Sequence, residues 1–442
     1  MAKITVGLDF GTHQTKICIE DKTEVNNPIY SFFPFEDLEG NKQIILPSVI
    51  QINKDNTLSY GFVDKATAKY GKKFVIGSAP SYPKKGELRN LKEWYKWQNT
   101  SQINHRLVYR YFKQSTFSNY NWNCTLSSTL LSVWYLSFVI FHIEERYGKD
   151  FAIQMGIPTG SDNFNRKKQK AVSLLLTAFH LVEDVFECDL NKFLATPLQE
   201  LKALTEFIPY SDEKKFEYSL LVFPEAYASL KSLINQKRIE SGMSLMVDIG
   251  GGTTDITFFT IENGRAKIYD YSSIPLGLNF IAESAAPDLQ DRFDSLPYLN
   301  DIPEKKLNPA IEQYYEKVSA ACYSLVNNLF RTFEKTGFPS YKLKDALKDR
   351  ALIYSGGGST YEQLRMPIGM FTDIICIDKN KWKGMSINRI EEFSTLCPII
   401  STSLGLSISE IDDNIELSTV NDIFKHLEGI YQIEEKPKQK WV

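Results

Sequence analysis

Two stretches of the chain repeat one short design, and that repetition constrains the fold more than anything else in it. Ile4 to Asp9 is an apolar run ending on an acid, followed by a glycine turn and a second strand pattern through Lys16-Ile17-Cys18-Ile19. Ser244-Leu245-Met246-Val247-Asp248 does the same, with a turn at Gly250-Gly251-Gly252 and a second strand through Ile256-Thr257-Phe258-Phe259. D-x-G-T at Asp9 to Thr12 and D-x-G-G-G-T at Asp248 to Thr253 therefore predict two related lobes facing one ligand. A tight turn between strands presents successive backbone N–H groups in a concave nest, and glycine keeps a Cβ out of a phosphate's way. Each leading acid sits where it can hold the water shell of Mg2+, an ion that keeps several waters and takes few carboxylates.

One glycine turn is weak evidence, because hairpins use glycine for geometry alone. A third element strengthens the reading: Leu352-Ile353-Tyr354 is strand-like and runs into Ser355-Gly356-Gly357-Gly358-Ser359, where backbone can lie flat against a nucleoside.

At 442 residues the chain is long enough for two or three domains at about 150 residues each. Ile44 to Ile52, Phe151 to Pro158 and Leu220 to Phe223 read as strands. Helical patterns cover 64–73, 87–97, 163–186, a segment from Thr196-Pro197 towards Phe207, a helix opening at Pro224-Glu225, and much of 279–349, including Pro309 to Glu334. Strands alternating with helices define an α/β protein.

Charge and cysteine usage exclude several classes. With 51 basic and 54 acidic side chains the net charge is −3, and no Lys/Arg stripe is long enough to track a nucleic-acid backbone. The basic run Arg166-Lys167-Lys168-Gln169-Lys170 reads as the solvated face of a helix. The six cysteines show no C-x-x-C spacing, which argues against a zinc knuckle or a disulfide framework. The N-terminus enters a strand pattern directly, without the features of a signal peptide, so a cytoplasmic location is expected. Gln114 to Ile143 carries no Asp, Glu, Lys or Arg, but its asparagines, serines and threonines mark a buried core helix rather than a membrane span.

Gly7-Leu8-Asp9-Phe10-Gly11-Thr12, Asp248 to Asp255 and Ser355 to Thr360 resemble, in order and spacing, the phosphate-1, phosphate-2 and adenosine motifs of the actin and seventy-kilodalton heat-shock superfamily. Phe223-Pro224-Glu225-Ala226-Tyr227-Ala228 resembles its connecting E-P-T-A-A-A segment, and Ala152 to Thr159 the strand leading to V-P-A. The resemblance covers residues 3 to 407 and is closest to the nucleotide-binding half of DnaK-type chaperones. It implies a two-lobed α/β fold of duplicated ribonuclease H-like lobes around a nucleotide cleft. Lobe I is expected at 1–240, with a smaller subdomain at 30–115 and a helical insertion at 187–218. Lobe II is expected at 241–407, with a subdomain at 279–349, and 408–442 form a tail.

The same resemblance implies residue roles. Asp9 and Asp248 would hold hydrated Mg2+. The backbone at Gly11, Thr12 and His13, and at Gly250, Gly251, Gly252 and Thr253, would hold the phosphates of ATP or ADP. Gly356, Gly357, Gly358 and Ser359 would face the nucleoside, with Tyr361 stacking where the family carries an arginine. Glu225 and Asp255 would position the attacking water, while Lys92 is the nearest match to the family's lysine, completing a catalytic set with Asp9. Phosphoryl transfer needs charge neutralisation and an oriented nucleophile, which such a set supplies. His13 and Gln14 depart from the chaperone pattern, about forty extra residues separate Pro158 from Glu225, and peptide-folding activity of its own is not expected. The expectation is a Mg2+-dependent ATP-binding protein with slow ATPase activity, a chaperone-like nucleotide switch whose lobe closure is read by a protein partner. A filament-forming actin-like ATPase and a small-molecule kinase are the alternatives.

Overall fold

The computed structural model describes residues 3–24, 27–64, 108–110, 112–117, 126–158, 164–235, 242–262, 265–274, 276–286, 299, 302–335, 340–348 and 350–414. Lys92, the helical expectations over 65–73 and 87–97, and the tail beyond 414 lie outside them.

The expected hairpins form. β1 (Ile4–Phe10) pairs antiparallel with β2 (Gln14–Asp21), which pairs with β3 (Ile29–Phe32) and with β4 (Ile45–Pro47). Next come α1 (Phe112–Phe117) and α2 (Ser128–Tyr147), then β5 (Phe151–Ile157), which lies parallel to β1. After α3 (Phe164–His180), β6 (Leu220–Pro224) joins parallel to β5 and leads directly into α4 (Glu225–Asn235).

The second half repeats this pairing. β7 (Gly242–Ile249), β8 (Thr254–Glu262) and β9 (Arg265–Ile274) form an antiparallel meander. After α5 (Leu278–Ala285) and α6 (Glu304–Lys335), β10 (Ala351–Ser355) lies parallel to β7, and β11 (Asp373–Cys376) parallel to β10. The strand order β3-β2-β1-β5-β6 in the first sheet thus matches β9-β8-β7-β10-β11 in the second. The protein is a mixed α/β fold built on one strand pattern used twice.

Each sheet has its own core. Val6, Leu8, Phe10, Ile17 and Ile19 pack with Leu131, Trp134, Tyr135 and Val139 of α2 and with Val172 and Leu175 of α3. The part of the uncharged segment within Ser128–Tyr147 is therefore a core helix, and no helix among the described residues is long and apolar enough to cross a membrane. On the second sheet α6 buries Leu307, Ile311, Tyr314, Val318, Cys322, Leu325, Leu329 and Phe333, a three-and-four spacing that keeps one stripe on the strands. This helix begins at Glu304, ahead of Pro309; a proline so near the start removes only one early hydrogen bond. The expected helix over 163–186 stops at His180 and continues as one wide π turn, Leu181–Val185. The insertion between Phe186 and Leu220 consists of short helices at Leu190–Ala195, Leu198–Leu204 and Asp212–Glu217.

The chain then returns to where it began. β12 (Ser386–Ile387) pairs with β3 of the first sheet, and the wholly buried α7 (Cys397–Ser407) packs on β1, β2, β5 and α4. These residues, assigned by sequence to the second lobe, lie against the first sheet. α4 makes the opposite crossing, from β6 to β9. At the α4–α7 crossing Gly405 lies so close to the Ala228 carbonyl that a Cβ would overlap it. A third apolar cluster joins the halves here, with Leu230, Leu233, Met246, Phe259, Ile353, Trp382, Ile400 and Leu404.

Beyond α7 the chain is strapped to the first sheet. The Ser409 N–H donates to Glu20 Oε2 at 3.1 Å, and Glu410 pairs with Lys231 at 2.8 Å. Asp413 takes Lys168 at 2.6 Å, Lys215 at 2.9 Å and the Val222 N–H at 3.1 Å.

Candidate functional site

The two hairpin turns face each other across a shared cleft. Its walls carry Asp9, Gly11, Thr12, His13, Gln14 and Lys16 from the first hairpin, and Asp248, Gly250, Gly251, Gly252, Thr253 and Asp255 from the second. Lys113, Glu225, Gly356, Gly357 and the first turns of α7 complete them.

Hydrogen bonds behind each turn set its orientation. In the second, the N–H groups of Leu278 and Asn279, at the start of α5, donate to the carbonyls of Gly250 at 3.0 Å and Gly251 at 2.8 Å. A trans peptide directs C=O and the following N–H to opposite sides, so the Gly251 and Gly252 N–H groups face away from α5. In the first, Ser48 Oγ donates to the Gly11 carbonyl at 2.8 Å, and the Ser48 N–H to the His13 carbonyl at 2.8 Å. By the same geometry the N–H groups of Thr12 and Gln14 face away from Ser48. Anion-binding nests are made this way.

The acids differ in their partners. Asp9 stands opposite Lys16 in the hairpin register, and Lys16 Nζ lies 2.7 Å from its Oδ2. The equivalent position opposite Asp248 is Asp255. Like charges facing across a strand pair repel. Burial first, then Asp255, Glu225 and Asp9, push the Asp248 carboxyl up to about 8. Burial also raises Asp255, whose Oδ1 is enclosed without a hydrogen-bond partner. Glu225 is the first residue of α4, fixed by Pro224 at the end of β6. Burial raises its carboxyl against the pull of Lys113, which pairs with it from α1.

Four carboxylates against two lysines, with one carboxylate oxygen orphaned, form a donor set with excess negative charge. That chemistry fits a divalent cation. Among the described residues no three His, Cys, Asp or Glu side chains converge to wrap a metal directly, so a cation here would keep much of its water.

The third glycine turn divides. Gly356, at φ 79°, packs against Asp248 and Ile249, and with Gly357 it reaches the cleft. Gly358 packs on the Ile249 side chain, and Ser359 is buried with its hydroxyl donating to the Gly356 carbonyl at 2.8 Å. The Tyr361 hydroxyl accepts from the Leu299 N–H at 3.4 Å while its ring packs on the second core. None of these three lines the cleft.

Sequence reasoning missed Lys16, Lys113, Pro398, Ile399 and Thr402. Lys16 was accessible by counting back along the hairpin from Asp9. Lys113 borders the uncharged stretch that becomes the core, its only signal. The α7 residues reach the cleft through a late return of the chain that no local pattern marks.

The sequence matches no protein-family model and no curated protein. Among solved structures, the chain is similar to a non-polymerising mutant of MamK bound to AMPPNP, at 15% identity and a TM-score of 0.40, over 92% of this chain and 99% of that one. A likeness at that level bears on neither activity nor assembly.

Proposed function

We propose that this chain is an actin-like ATPase that binds ATP with Mg2+ between its two sheets, hydrolyses it slowly, and signals to a protein partner by closure of the two halves. The reading rests on one observation above the rest: two acid-led glycine turns, from sheets that share a five-strand order, meet in a cleft that gathers four carboxylates and two lysines. The turns would hold the phosphates through the N–H groups turned away from Ser48 and α5, and Lys16 and Lys113 would share their charge. The nucleoside would lie along Gly356 and Gly357.

Asp9 and Asp248 would hold Mg2+ through its waters; when bound, the ion would neutralise phosphate charge during transfer. Glu225, kept in place by Lys113, and Asp255 would orient the attacking water. The motifs resemble those of DnaK-type chaperones, and that resemblance is what favours a switch read by a partner. The moving bodies would be the first sheet, with β12 and α7 attached, against the second sheet.

Calorimetric titration of the full chain with ATP and with ADP, each with and without Mg2+, tests this, together with phosphate release and the same series on Asp248→Ala. Mg2+-dependent binding lost in the variant supports the reading. Absence of binding by the folded wild type overturns it.

A further inference from the structure

Four of the eight large apolar side chains that stand exposed among the described residues, Leu204, Phe207, Phe216 and Ile411, belong to the helical insertion or to the strap beyond α7. Phe216, on the short helix Asp212–Glu217, is 87% exposed. Insertion and strap are seated on the same helix. Ser173 Oγ of α3 donates to the Ile208 carbonyl, and the Ile208 N–H donates to Thr177 Oγ1 at 3.0 Å, which fixes the chain beside Phe207. Lys168, about 8 Å back along α3, pairs with Asp413 together with Lys215, the neighbour of Phe216. Exposed apolar side chains thus gather over one stretch of α3. Single exposed apolar residues are ordinary, whereas a gathering of them marks an interaction surface.

We propose that this surface seats the chain's own C-terminal segment, residues 420–431. Asp413 is buried and held by Lys168, Lys215 and the Val222 N–H, so the chain leaves the body at Asn414, close to Phe216. Six residues further on, Val420, Ile423, Phe424, Leu427 and Tyr431 recur at the three-and-four spacing of an amphipathic helix, with Asn421, Asp422, Lys425 and Glu428 between them. Six residues reach at most about 20 Å, enough to lay that stripe on Phe207 and Phe216. A segment this short is marginal as a helix in water and gains its stability by covering an apolar face. The short tether presents this particular face at high effective concentration. With one lysine against two acids, residues 420–431 lack the basic face that suits a lipid surface. Seated there, the segment clamps the strap, and through the pair of Glu410 with Lys231 it braces α4, the helix that begins at Glu225.

Hydrogen exchange of the full chain, read by mass spectrometry for wild type, Phe216→Asp and Leu427→Asp, tests this. Wild-type amides over 420–431 should be protected, because an undocked segment of this length exchanges almost as free chain. Each variant should speed that exchange by at least about tenfold, the scale of losing one buried apolar side chain. Leu427→Asp should in return speed exchange over 204–217, and β1 should be unchanged in both. Leu427→Asp leaves the body's own sequence intact, so it carries the test should Phe216→Asp disturb β1. Free-chain exchange of 420–431 in the wild type, or protection that survives Leu427→Asp or a folded Phe216→Asp, overturns the proposal. Protection lost on dilution overturns it as well, by placing the segment on a second copy of the chain.

Discussion

Lys113 and Glu225, 112 residues apart in sequence, form an ion pair in the wall of the cleft. Lys113 is almost wholly enclosed, its ammonium 5.9 Å from the centre of the Phe10 ring, so its charge is committed to the cleft. Lys113→Met leaves Glu225 with the raised proton affinity that burial imposes and with no cation to fix its orientation. ATP turnover is expected to fall about 100-fold, the scale of a positioned acid–base group, and nucleotide affinity by a smaller factor that reflects the lost phosphate charge. Phosphate release measured beside calorimetric binding separates the two, and equal losses in both would remove the positioning role.

The Asp248 carboxyl, at about 8 in the folded protein against 3.8 for a free aspartate, makes stability depend on pH. Between those values the folded state holds a proton that the unfolded chain has released, so stability falls as pH rises. Thermal melts in EDTA should decline from about pH 5 to pH 8 for the wild type, and Asp248→Asn should flatten the slope. Excess Mg2+ should flatten it too, by stabilising the ionised form. A wild-type slope unaffected by the substitution would place the proton elsewhere.

Gly405→Ala inserts a methyl group where α7 meets the Ala228 carbonyl. Backbone cannot rotate out of the way as a side chain can, so the helices must separate and the cluster around Leu230 and Leu404 must loosen. A loss of about 3 kcal/mol is expected in urea denaturation, at the upper end for overpacking. A loss below about 1 kcal/mol would show that the crossing relaxes without cost.

Asp413 anchors the strap beyond α7. Burial pushes its carboxyl up, but hydrogen bonds and charge from Lys168 and Lys215, with the Val222 N–H, together hold it below the usual aspartate range. Asp413→Ala leaves two half-buried lysines without their shared, buried acid, and a loss of about 3 kcal/mol is expected near neutral pH. A lowered carboxyl stabilises above its unfolded value and ceases to as pH falls through its folded one, so wild-type and variant melts should converge at the acid end. Parallel curves down to that limit would rule out the ion pairs as the cause.

What was legible in the sequence was local. An apolar strand, an acid, a glycine turn and a second strand are contiguous, so both hairpins and the repetition between them could be read directly, and so could the buried helix at Ser128–Tyr147. What was not legible was made by the tertiary path. Lys113 becomes a cleft residue only because α1 packs beside β1 and β6 delivers Glu225 to the same place. α7 reads as an apolar helix of either half, and only its seating on β1, β2 and β5 settles which sheet it covers. Tyr361 looks, by position after the third glycine turn, like a stacking residue, yet the short 3-10 turn at Gly357–Thr360 carries its ring into the second core.

The contact between Gly405 and Ala228 also limits how α4 and α7 can move against each other. Where side chains separate two helices, the helices can slide and tilt over a compliant layer; here backbone meets backbone, and any translation either collides or opens a void. Rotation about the point of contact disturbs it least. The joined helices form one stiff block, and because Glu225 and Thr402 stand one turn away from the contact, that block is also a wall of the cleft.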